Sequence, residues 1–358
     1  MKITNKQGKK NPNIKISFKR KLVALLLVIT TLFSLSGCDK TSEKKTDGKT
    51  FTDSLGRTVT LPKNITRIAP SGQASFMFLF ALCPDYLCGC TSEFNDSSKN
   101  YFEKKYQELP VIGQIYGGKS DFNPETLVSL HPDVVIDVGD AKDSMKEDFD
   151  KLQEQTGIPF IHIDGDLETY KDAYKTLGEL LDMPTEAKKL SDYCENAYKE
   201  ITTLAKNVTP ADILFVTGTK GTNVIAKDAA LSETINLFAN NVCDLDSPSS
   251  RGSGNEVDLE QILTWNPTYI LFNTDSIYDT VKFMDIWNKL DAIKNDKYFE
   301  VPVEPYNWMG YPPSVQRYLG MYWLFYKLYP DVADYSIDDK MTEYYDLFYH
   351  KCYVDIPD

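Results

Sequence analysis

Short apolar runs rich in β-branched residues alternate with segments of helical spacing along most of the chain. Such alternation is typical of parallel α/β units, in which a buried strand is followed by a helix. The pattern predicts strands over 65–69, 86–90, 134–138, 159–163, 213–217, 222–226, 269–273 and 299–304. It predicts helices over 72–82, 141–156, 229–240, 278–291 and 312–328.

The segment 169–207 departs from this alternation, because it has helical spacing throughout and contains no strand pattern. Its only interruption lies near Met183 and Pro184, and a proline is well placed to begin a second helix. A long helix between two α/β halves is a stiff connector. We therefore expect the boundary between two lobes in this segment.

Two segments share the same register of features, residues 122–137 (FNPETLVSLHPDVVID) and 257–272 (VDLEQILTWNPTYILF). Glu125 aligns with Glu260 and Pro132 with Pro267, without a gap. In both copies a helix pattern with an apolar face precedes the proline, and an apolar strand pattern follows it. A duplicated helix–strand unit predicts two similar lobes with a cleft between them.

The N-terminal segment has the features of a secretory leader. The first 21 residues carry eight Lys or Arg and no acidic residue, and the uncharged, mostly apolar stretch 22–36 is short for a membrane-spanning helix. It ends in Leu35-Ser36-Gly37-Cys38, which resembles the lipobox of bacterial lipoproteins. Lipidation at Cys38 is the expectation, with an uncleaved anchor or a plain secretory signal as alternatives.

Residues 39–50 contain no apolar residue, which is typical of a flexible tether. A diacylated cysteine and a tether would hold a folded domain beside the cell membrane, on its extracytoplasmic side. We therefore expect a signal peptide over 1–37, a lipidated tether over 38–50, an N-terminal lobe over 51–168, a connecting helix region over 169–208 and a C-terminal lobe over 209–358.

Charge and cysteine content narrow the choice of partners. Without the leader the chain has 31 basic and 52 acidic residues, a net charge near −21, which disfavours nucleic acid and anionic lipid headgroups. Export permits disulfides, but Cys83, Cys88 and Cys90 lie in apolar stretches and lack a C-x-x-C spacing. Buried free thiols are the favoured interpretation.

The start of the folded part, Asp53-Ser54-Leu55-Gly56-Arg57-Thr58-Val59 followed by Leu61-Pro62, resembles the opening of the class III (cluster A, helical-backbone) substrate-binding proteins of ABC importers. The resemblance extends to about residue 330 and includes the duplicated unit and the central helix. It implies two Rossmann-like lobes joined by a single long backbone helix, with the ligand between them. It also implies a monomer that delivers iron–siderophore complexes, haem or cobalamin to a permease and its ATPase.

The duplicated Glu125 and Glu260 have two interpretations. Each falls in the first turn of a predicted helix, where a carboxylate complements the helix dipole without any further purpose. The resemblance implies instead that the two carboxylates form salt bridges to arginines of the permease. Their identical register in both copies fits docking onto a two-fold partner, so docking is favoured.

In the N-terminal lobe, Ser71 and Gln73 follow the first strand and open a helix, where polar side chains could face the cleft. An ordinary helix cap by Ser71 is an equal alternative. Tyr116 and Gly117 belong to a glycine-containing loop that would let a ligand approach the backbone, although a plain turn has the same pattern.

In the C-terminal lobe, Thr219 follows a strand at the expected cleft side, and Arg251 precedes the second repeat. A solvated loop arginine is the alternative to an arginine that binds ligand oxygens. Asn307, Trp308 and Met309 follow a strand, and an aromatic face there would suit a flat chelate. Core packing of Trp308 is a serious alternative.

The chain has only three histidines, His131, His162 and His350, and they are far apart in sequence. Binding of a bare divalent metal usually needs clustered imidazoles and carboxylates, so any metal is expected to arrive within its own chelator. We therefore expect no catalytic residues, no protein-bound metal and no cofactor, and a metal chelate as the ligand.

The sequence therefore predicts a lipid-anchored receptor that captures a metal chelate, with an iron(III)–siderophore as the leading ligand. Cobalamin, haem, a nickel or cobalt chelate and molybdate remain alternatives within the class. A surface hydrolase lacks its G-x-S-x-G or H-E-x-x-H motif, and an adhesin has no evident use for paired lobes.

Overall fold

The computed structural model describes residues 48–116, 121–249 and 252–350. The described residues from Lys49 onward belong to one compact unit that contains both lobes. Its first strand, β1 (Gly48–Thr52), pairs with β2 (Thr58–Pro62). The folded part therefore begins three residues before the predicted start at Phe51, because the end of the expected tether is paired in this hairpin.

The N-terminal lobe is built on a parallel sheet in the order β3–β4–β5. These strands are β3 (Ile68–Pro70), β4 (Val134–Gly139) and β5 (Phe160–Asp164). Every residue of β4 before Gly139 is buried, as expected for a central strand covered on both faces.

The helices of this lobe are α1 (Gln73–Leu82), α2 (Lys104–Gln107), α3 (Pro124–Ser129) and α4 (Met145–Thr156). Asn123 caps α3 by accepting a 3.0 Å hydrogen bond from the backbone N–H of Thr126. The predicted strand 86–90 is wrong. Pro84 starts a 3₁₀ turn, and only isolated bridges from Leu87 to Ile68 and from Cys90 to Val111 follow.

Two helices connect the lobes, α5 (Tyr170–Leu181) and α6 (Pro184–Leu204). The break falls where the sequence predicts it, since Asp182 adopts a left-handed conformation with φ of 58° and Pro184 occupies the first turn of α6. At 21 residues, α6 is about 32 Å long, which makes it the backbone helix of the molecule.

The C-terminal lobe contains a mixed sheet in the order β11–β10–β6–β7–β9, with β8 also pairing with β6. Its parallel strands are β6 (Ala211–Thr217), β8 (Ala239–Asn241), β10 (Tyr269–Phe272) and β11 (Tyr298–Glu300). The antiparallel strands are β7 (Asn223–Val224) and β9 (Asn255–Glu256).

The helices of this part are α7 (Glu233–Asn236), α8 (Leu259–Trp265), α9 (Asp291–Lys294), α10 (Arg317–Leu328) and α11 (Ile337–Tyr349). The predicted helices 229–240 and 278–291 are wrong in extent. The first ends at Asn236 because β8 follows, and the second is divided into 3₁₀ turns separated by the extended residue Met284.

One hydrophobic core runs through both lobes. It includes residues of α1, α5, α6, α10 and α11, and α11 returns from the C-terminal part of the chain to pack against α1. Aromatic contacts reinforce this return, such as that between Phe348 and Tyr174, and Tyr345 donates a 2.7 Å hydrogen bond to the carbonyl of Glu304. The shared core limits how far the lobes can separate.

None of the helices described is long and apolar enough to cross a membrane. The strands and helices described above together form a two-lobe α/β structure with parallel strands in both sheets and a helical connection.

Candidate ligand-binding cleft

A cleft of about 1440 Å³ lies between the two lobes. Residues that follow the carboxyl ends of β3 and β4 line one side, and residues that follow β10 and β11 line the other. Loops at this edge of parallel strands are where α/β proteins commonly bind ligands. The geometry therefore agrees with the cleft that the duplicated unit predicts.

Gln73 lines the N-terminal side of the cleft, and its amide is held in place. Its side-chain oxygen accepts hydrogen bonds of 2.6 Å from Thr91 Oγ1 and 3.2 Å from Ser92 Oγ. Tyr306, which reaches the same cleft from the loop after β11, also bonds to Gln73. Burial raises the pKa of Tyr306 above its usual value, and the bond to Gln73 offsets part of this increase.

Tyr116 also lines the cleft and presents an aromatic face. Its hydroxyl donates a 2.9 Å hydrogen bond to Asp148, and Nζ of Lys142 lies 4.5 Å from the centre of its ring. Burial, followed by the bond to Asp148, raises the pKa of Tyr116, so the phenol stays protonated. The side chain is thereby oriented before any ligand enters.

Ser71 lies beneath the cleft rather than on its surface, with 1% of its area exposed. Its hydroxyl donates to Asp137 and contacts Ser75 Oγ at 2.9 Å. The residue at the cap position of α1 is Gly72, so the alternative of a Ser71 cap is not what the structure shows. Ser71 instead supports Asp137, which lines the cleft.

His162 is fully buried behind the same carboxylate. Its Nδ1 lies 2.7 Å from Oδ2 of Asp137, while Nε2 has no hydrogen-bond partner among the described residues. His131 is exposed at a corner with φ of 47°, and His350 ends α11. The described residues contain no group of three His, Cys, Asp or Glu that could hold a metal ion.

Asn307 is buried behind the wall of the cleft that the C-terminal lobe forms. It is 7% exposed and donates a 2.7 Å hydrogen bond to Asn273, which in turn donates a 2.7 Å bond to Asp275. Both Asn273 and Asp275 line the cleft, whereas Asn307 does not. Asn307 therefore positions lining residues, and the prediction of direct contact needs this correction.

Trp308 and Met309 belong to the core and not to the cleft wall. They are 4% and 0% exposed, and Trp308 Nε1 donates a 3.0 Å hydrogen bond to the carbonyl of Glu304. The loop lies directly on α10, where Gly320 leaves no room for a side chain beside the carbonyl of Trp308. The sequence-based assignment of these two residues to the ligand site is thus corrected.

Thr219 is exposed and does not line the cleft. A turn closed by a 2.9 Å hydrogen bond from Gly221 N–H to the Gly218 carbonyl carries it away, and both glycines have positive φ. This prediction is corrected as well. Gly117, Arg251 and Cys38 lie outside the described residues.

Sequence reasoning missed several lining residues. Tyr306 and Tyr311 supply aromatic surface, and the Tyr311 hydroxyl donates a 2.5 Å hydrogen bond to the carbonyl of Gly252. Asp140 directly follows β4, and Asp228 lies between β7 and α7. The useful signal was position, since polar or aromatic residues just beyond strand ends tend to reach the cleft edge.

An ion pair between a buried arginine and a partly exposed glutamate lies behind the cleft. Arg317 of α10 pairs with Glu233 of α7, and its guanidinium donates a 3.1 Å hydrogen bond to the hydroxyl of the cleft residue Tyr170. Glu233 also accepts a 2.9 Å bond from the N–H of Leu167. Burial raises the pKa of Glu233, while Arg317 opposes this shift. Both members of the pair belong to the C-terminal lobe, and their hydrogen bonds with Leu167 and Tyr170 connect that lobe to the segment where the N-terminal lobe meets α5.

Glu125 and Glu260 occupy equivalent places away from the cleft lining. They lie in the first turns of α3 and α8, and both are exposed. Within the described residues, neither carboxylate has an ion-pair partner within 4.0 Å. The buried residues of these short helices, Leu127 and Ile262, lie on the opposite face. The duplicated helix–strand unit is therefore confirmed.

Comparison with known proteins identifies a family and a solved structure that resemble this two-lobe architecture. Residues 91–305 match the family of periplasmic binding proteins. An ABC transporter solute binding protein from Sulfurospirillum deleyianum superimposes with a TM-score of 0.78 at 26% identity, covering 86% of this chain and 96% of that one.

Two curated proteins show more distant similarity. The high-affinity heme uptake system protein IsdE of Staphylococcus aureus is 24% identical over 234 residues, which is 62% of this chain and 76% of that protein. The molybdate-binding protein MolA of Haemophilus influenzae is 35% identical over 102 residues, which is 27% of this chain and 28% of MolA. Members of the periplasmic binding protein family are extracytoplasmic substrate-binding components of ABC importers and not enzymes. What they hold is a transported ligand rather than a cofactor. The chain belongs to this family.

Proposed function

We propose that this protein is the lipid-anchored receptor of an ABC importer and that it captures a metal chelate, with an iron(III)–siderophore as the leading ligand. The observation that carries the proposal is the size and composition of the cleft. At about 1440 Å³ it exceeds the roughly 300–1,000 Å³ of ordinary small-molecule pockets, and aromatic side chains from both lobes line it.

The size of the cleft favours a bulky ligand over a bare ion. Tyr116, Tyr306 and Tyr311 offer broad apolar faces with polar tips, suited to an organic chelator. No described cluster of His, Cys, Asp or Glu could hold a naked metal. The metal would therefore enter already surrounded by its chelator.

Haem and molybdate remain the competing ligands, because relatives are named for them. Haem would need an axial ligand from the protein, and Met309, in the loop after β11, is fully buried in the core and cannot reach the cleft. A tetrahedral oxyanion would fill only a small part of the volume between the lobes.

A ligand panel tests the proposal. The full-length lipoprotein in detergent would be dialysed to equilibrium against ferric trihydroxamate, ferric tricatecholate, haem, cobalamin, a nickel–histidine chelate and molybdate. We expect saturable binding of a ferric chelate at one site per chain. Saturation by haem, cobalamin or molybdate alone would replace the iron assignment.

We propose further that Cys38 carries the lipid anchor. Substitution Cys38→Ala should release the protein from the membrane fraction into the soluble extracytoplasmic fraction, while binding of its ligand is unchanged. Retention of the variant in the membrane would favour an uncleaved N-terminal anchor instead.

A further inference from the structure

Three carboxylates border the cleft without a partner. Glu93 follows the bridge at Cys90, Asp140 follows β4, and Asp228 lies in the C-terminal lobe. All three are exposed, and within the described chain none forms a hydrogen bond or an ion pair. Unpaired charges of one sign therefore reach the same space from both lobes.

Two further carboxylates of the lining, one buried and one exposed, are held by hydrogen bonds. Asp137 is 8% exposed on the cleft floor, where it accepts from Ser71 and contacts His162. Asp275 accepts a 2.7 Å hydrogen bond from Asn273 and a 3.2 Å bond from the N–H of Gly218. Hydrogen bonds within the protein hold both carboxylates in place, so the negative field of the cleft is built in.

Positive charge is scarce on the described lining. Lys142 is the one basic residue there, and its Nζ lies over the ring of Tyr116. Arg317 lies behind Tyr170, 1% exposed, and its charge is opposed by Glu233. The described surface that meets a ligand is thus acidic.

Charge of one sign within a cleft has a predictable effect, because low-dielectric walls focus the field on the ligand. An anionic ligand would meet several fixed carboxylates and would lose its hydration as well. A cation would gain the same attraction, most strongly at low ionic strength.

On this basis, and resting on the proposed function, we propose that the cleft selects chelates whose net charge is zero or positive. Three singly charged hydroxamates neutralise iron(III), and a free ammonium group on the chelator makes the complex cationic. Three doubly charged catecholates leave it strongly anionic. The cleft therefore suits ferric trihydroxamates and disfavours ferric tricatecholates, haem with its two carboxylates, and molybdate.

The test compares iron complexes that differ mainly in charge. Binding of the full-length lipoprotein would be measured for a ferric trihydroxamate with a free ammonium, for its N-acetylated neutral form, and for a ferric tricatecholate. At low salt we expect the cation to bind about tenfold more tightly than the neutral form, and the tricatecholate about a hundredfold more weakly than the cation. In about 1 M salt the cation's advantage should shrink to within threefold.

A variant with Glu93→Gln, Asp140→Asn and Asp228→Asn isolates the cause. The ratio of its affinities for the cationic and the neutral complex should fall from about tenfold to within about threefold. The matched control Glu147→Gln, Glu154→Gln and Asp331→Asn removes the same charge from exposed residues outside the lining and should keep the preference.

The outcomes separate the two proposals. A tricatecholate that binds as tightly as the neutral trihydroxamate would overturn the charge selection and leave the receptor function intact. An unchanged preference in the cleft variant would also overturn it. Binding of none of the ferric chelates would overturn the proposed function itself.

Discussion

Asp137 and His162 are paired directly across β4 and β5, and Oδ2 of the carboxylate lies 2.7 Å from Nδ1 of the imidazole. The other carboxylate oxygen accepts from Ser71. One side chain therefore satisfies two buried polar groups while it forms part of the cleft floor.

Substitution Asp137→Ala should destabilise the protein, because it leaves His162 and Ser71 buried without this acceptor. The expected loss is about 2–3 kcal/mol of unfolding free energy, measured by urea denaturation. The control Asp143→Ala, at an exposed residue shortly after β4, should change stability by less than about 0.5 kcal/mol. Equal stability of the two variants would contradict the supporting role of Asp137.

Substitution Arg317→Met should lower the free energy of unfolding by about 3 kcal/mol, since it leaves the partly buried Glu233 carboxylate without its cation. Thermal unfolding would measure the loss. Lys327→Met, at an exposed position of the same helix, is the matched control and should have little effect. If the Arg317 variant were as stable as the control, the ion pair would not contribute to the stability of the fold.

Ligand affinity should depend on Tyr311 and not on Trp308. Tyr311→Ala removes an aromatic face from the cleft, so the dissociation constant of the ferric chelate should rise at least about tenfold. Trp308→Phe alters the core behind the wall and should change this constant less than about threefold. The reverse result in a dialysis assay would restore Trp308 to the ligand site.

Local patterns predicted the repeated unit well. Glu125 and Glu260 lie in the first turns of the short helices α3 and α8, and the strands β4 and β10 follow as expected. Each unit is defined by neighbours in sequence, namely an N-terminal acidic turn, an apolar face and an apolar strand. Such information is present in a single segment, which is why the sequence sufficed for it.

The cleft wall was harder to predict because it depends on residues distant in sequence. Trp308 and Met309 are buried only because α10 approaches their loop at Gly320. Asp140 and Asp228 become neighbours of one cavity only after both sheets have formed. Neither the burial of this loop nor the shared cavity can be recognised from one short segment of the sequence. The position of Asp140 directly after a strand is the one signal that would have predicted a lining residue.

Alkaline pH should weaken the fold through its buried thiols. Burial raises the pKa of Cys83 and of Cys194 from 9.0 to about 12. In the unfolded chain these thiols ionise near pH 9, so between about pH 9 and 12 the folded state holds more protons and stability falls as pH rises.

The expected loss is about 1 kcal/mol for each of these two thiols between pH 9 and 10. Urea denaturation across this range would show it, and the variant Cys83→Ala, Cys194→Ala should have a shallower dependence on pH. If the free energy of unfolding of the variant fell with pH as steeply as that of the unmodified protein, the loss of stability at alkaline pH would come from other groups, such as the buried tyrosines.

Charge reversal at Glu125 and Glu260 should impair delivery to the permease without impairing capture of the ligand. Both carboxylates are exposed and unpaired within the described residues, and they lie away from the cleft lining, so their substitution should leave the dissociation constant unchanged. Each single change to Lys should lower uptake of the labelled chelate into cells several-fold.

The double variant should nearly abolish uptake, because both of the proposed docking contacts with the permease would then be repulsive. Glu186→Lys and Asp331→Lys place the same charges elsewhere on the exposed surface and should leave uptake normal. Compensating changes of permease arginines to Glu should restore part of the transport in the double variant. Normal uptake by the double variant would show that the two carboxylates only complement the dipoles of their helices.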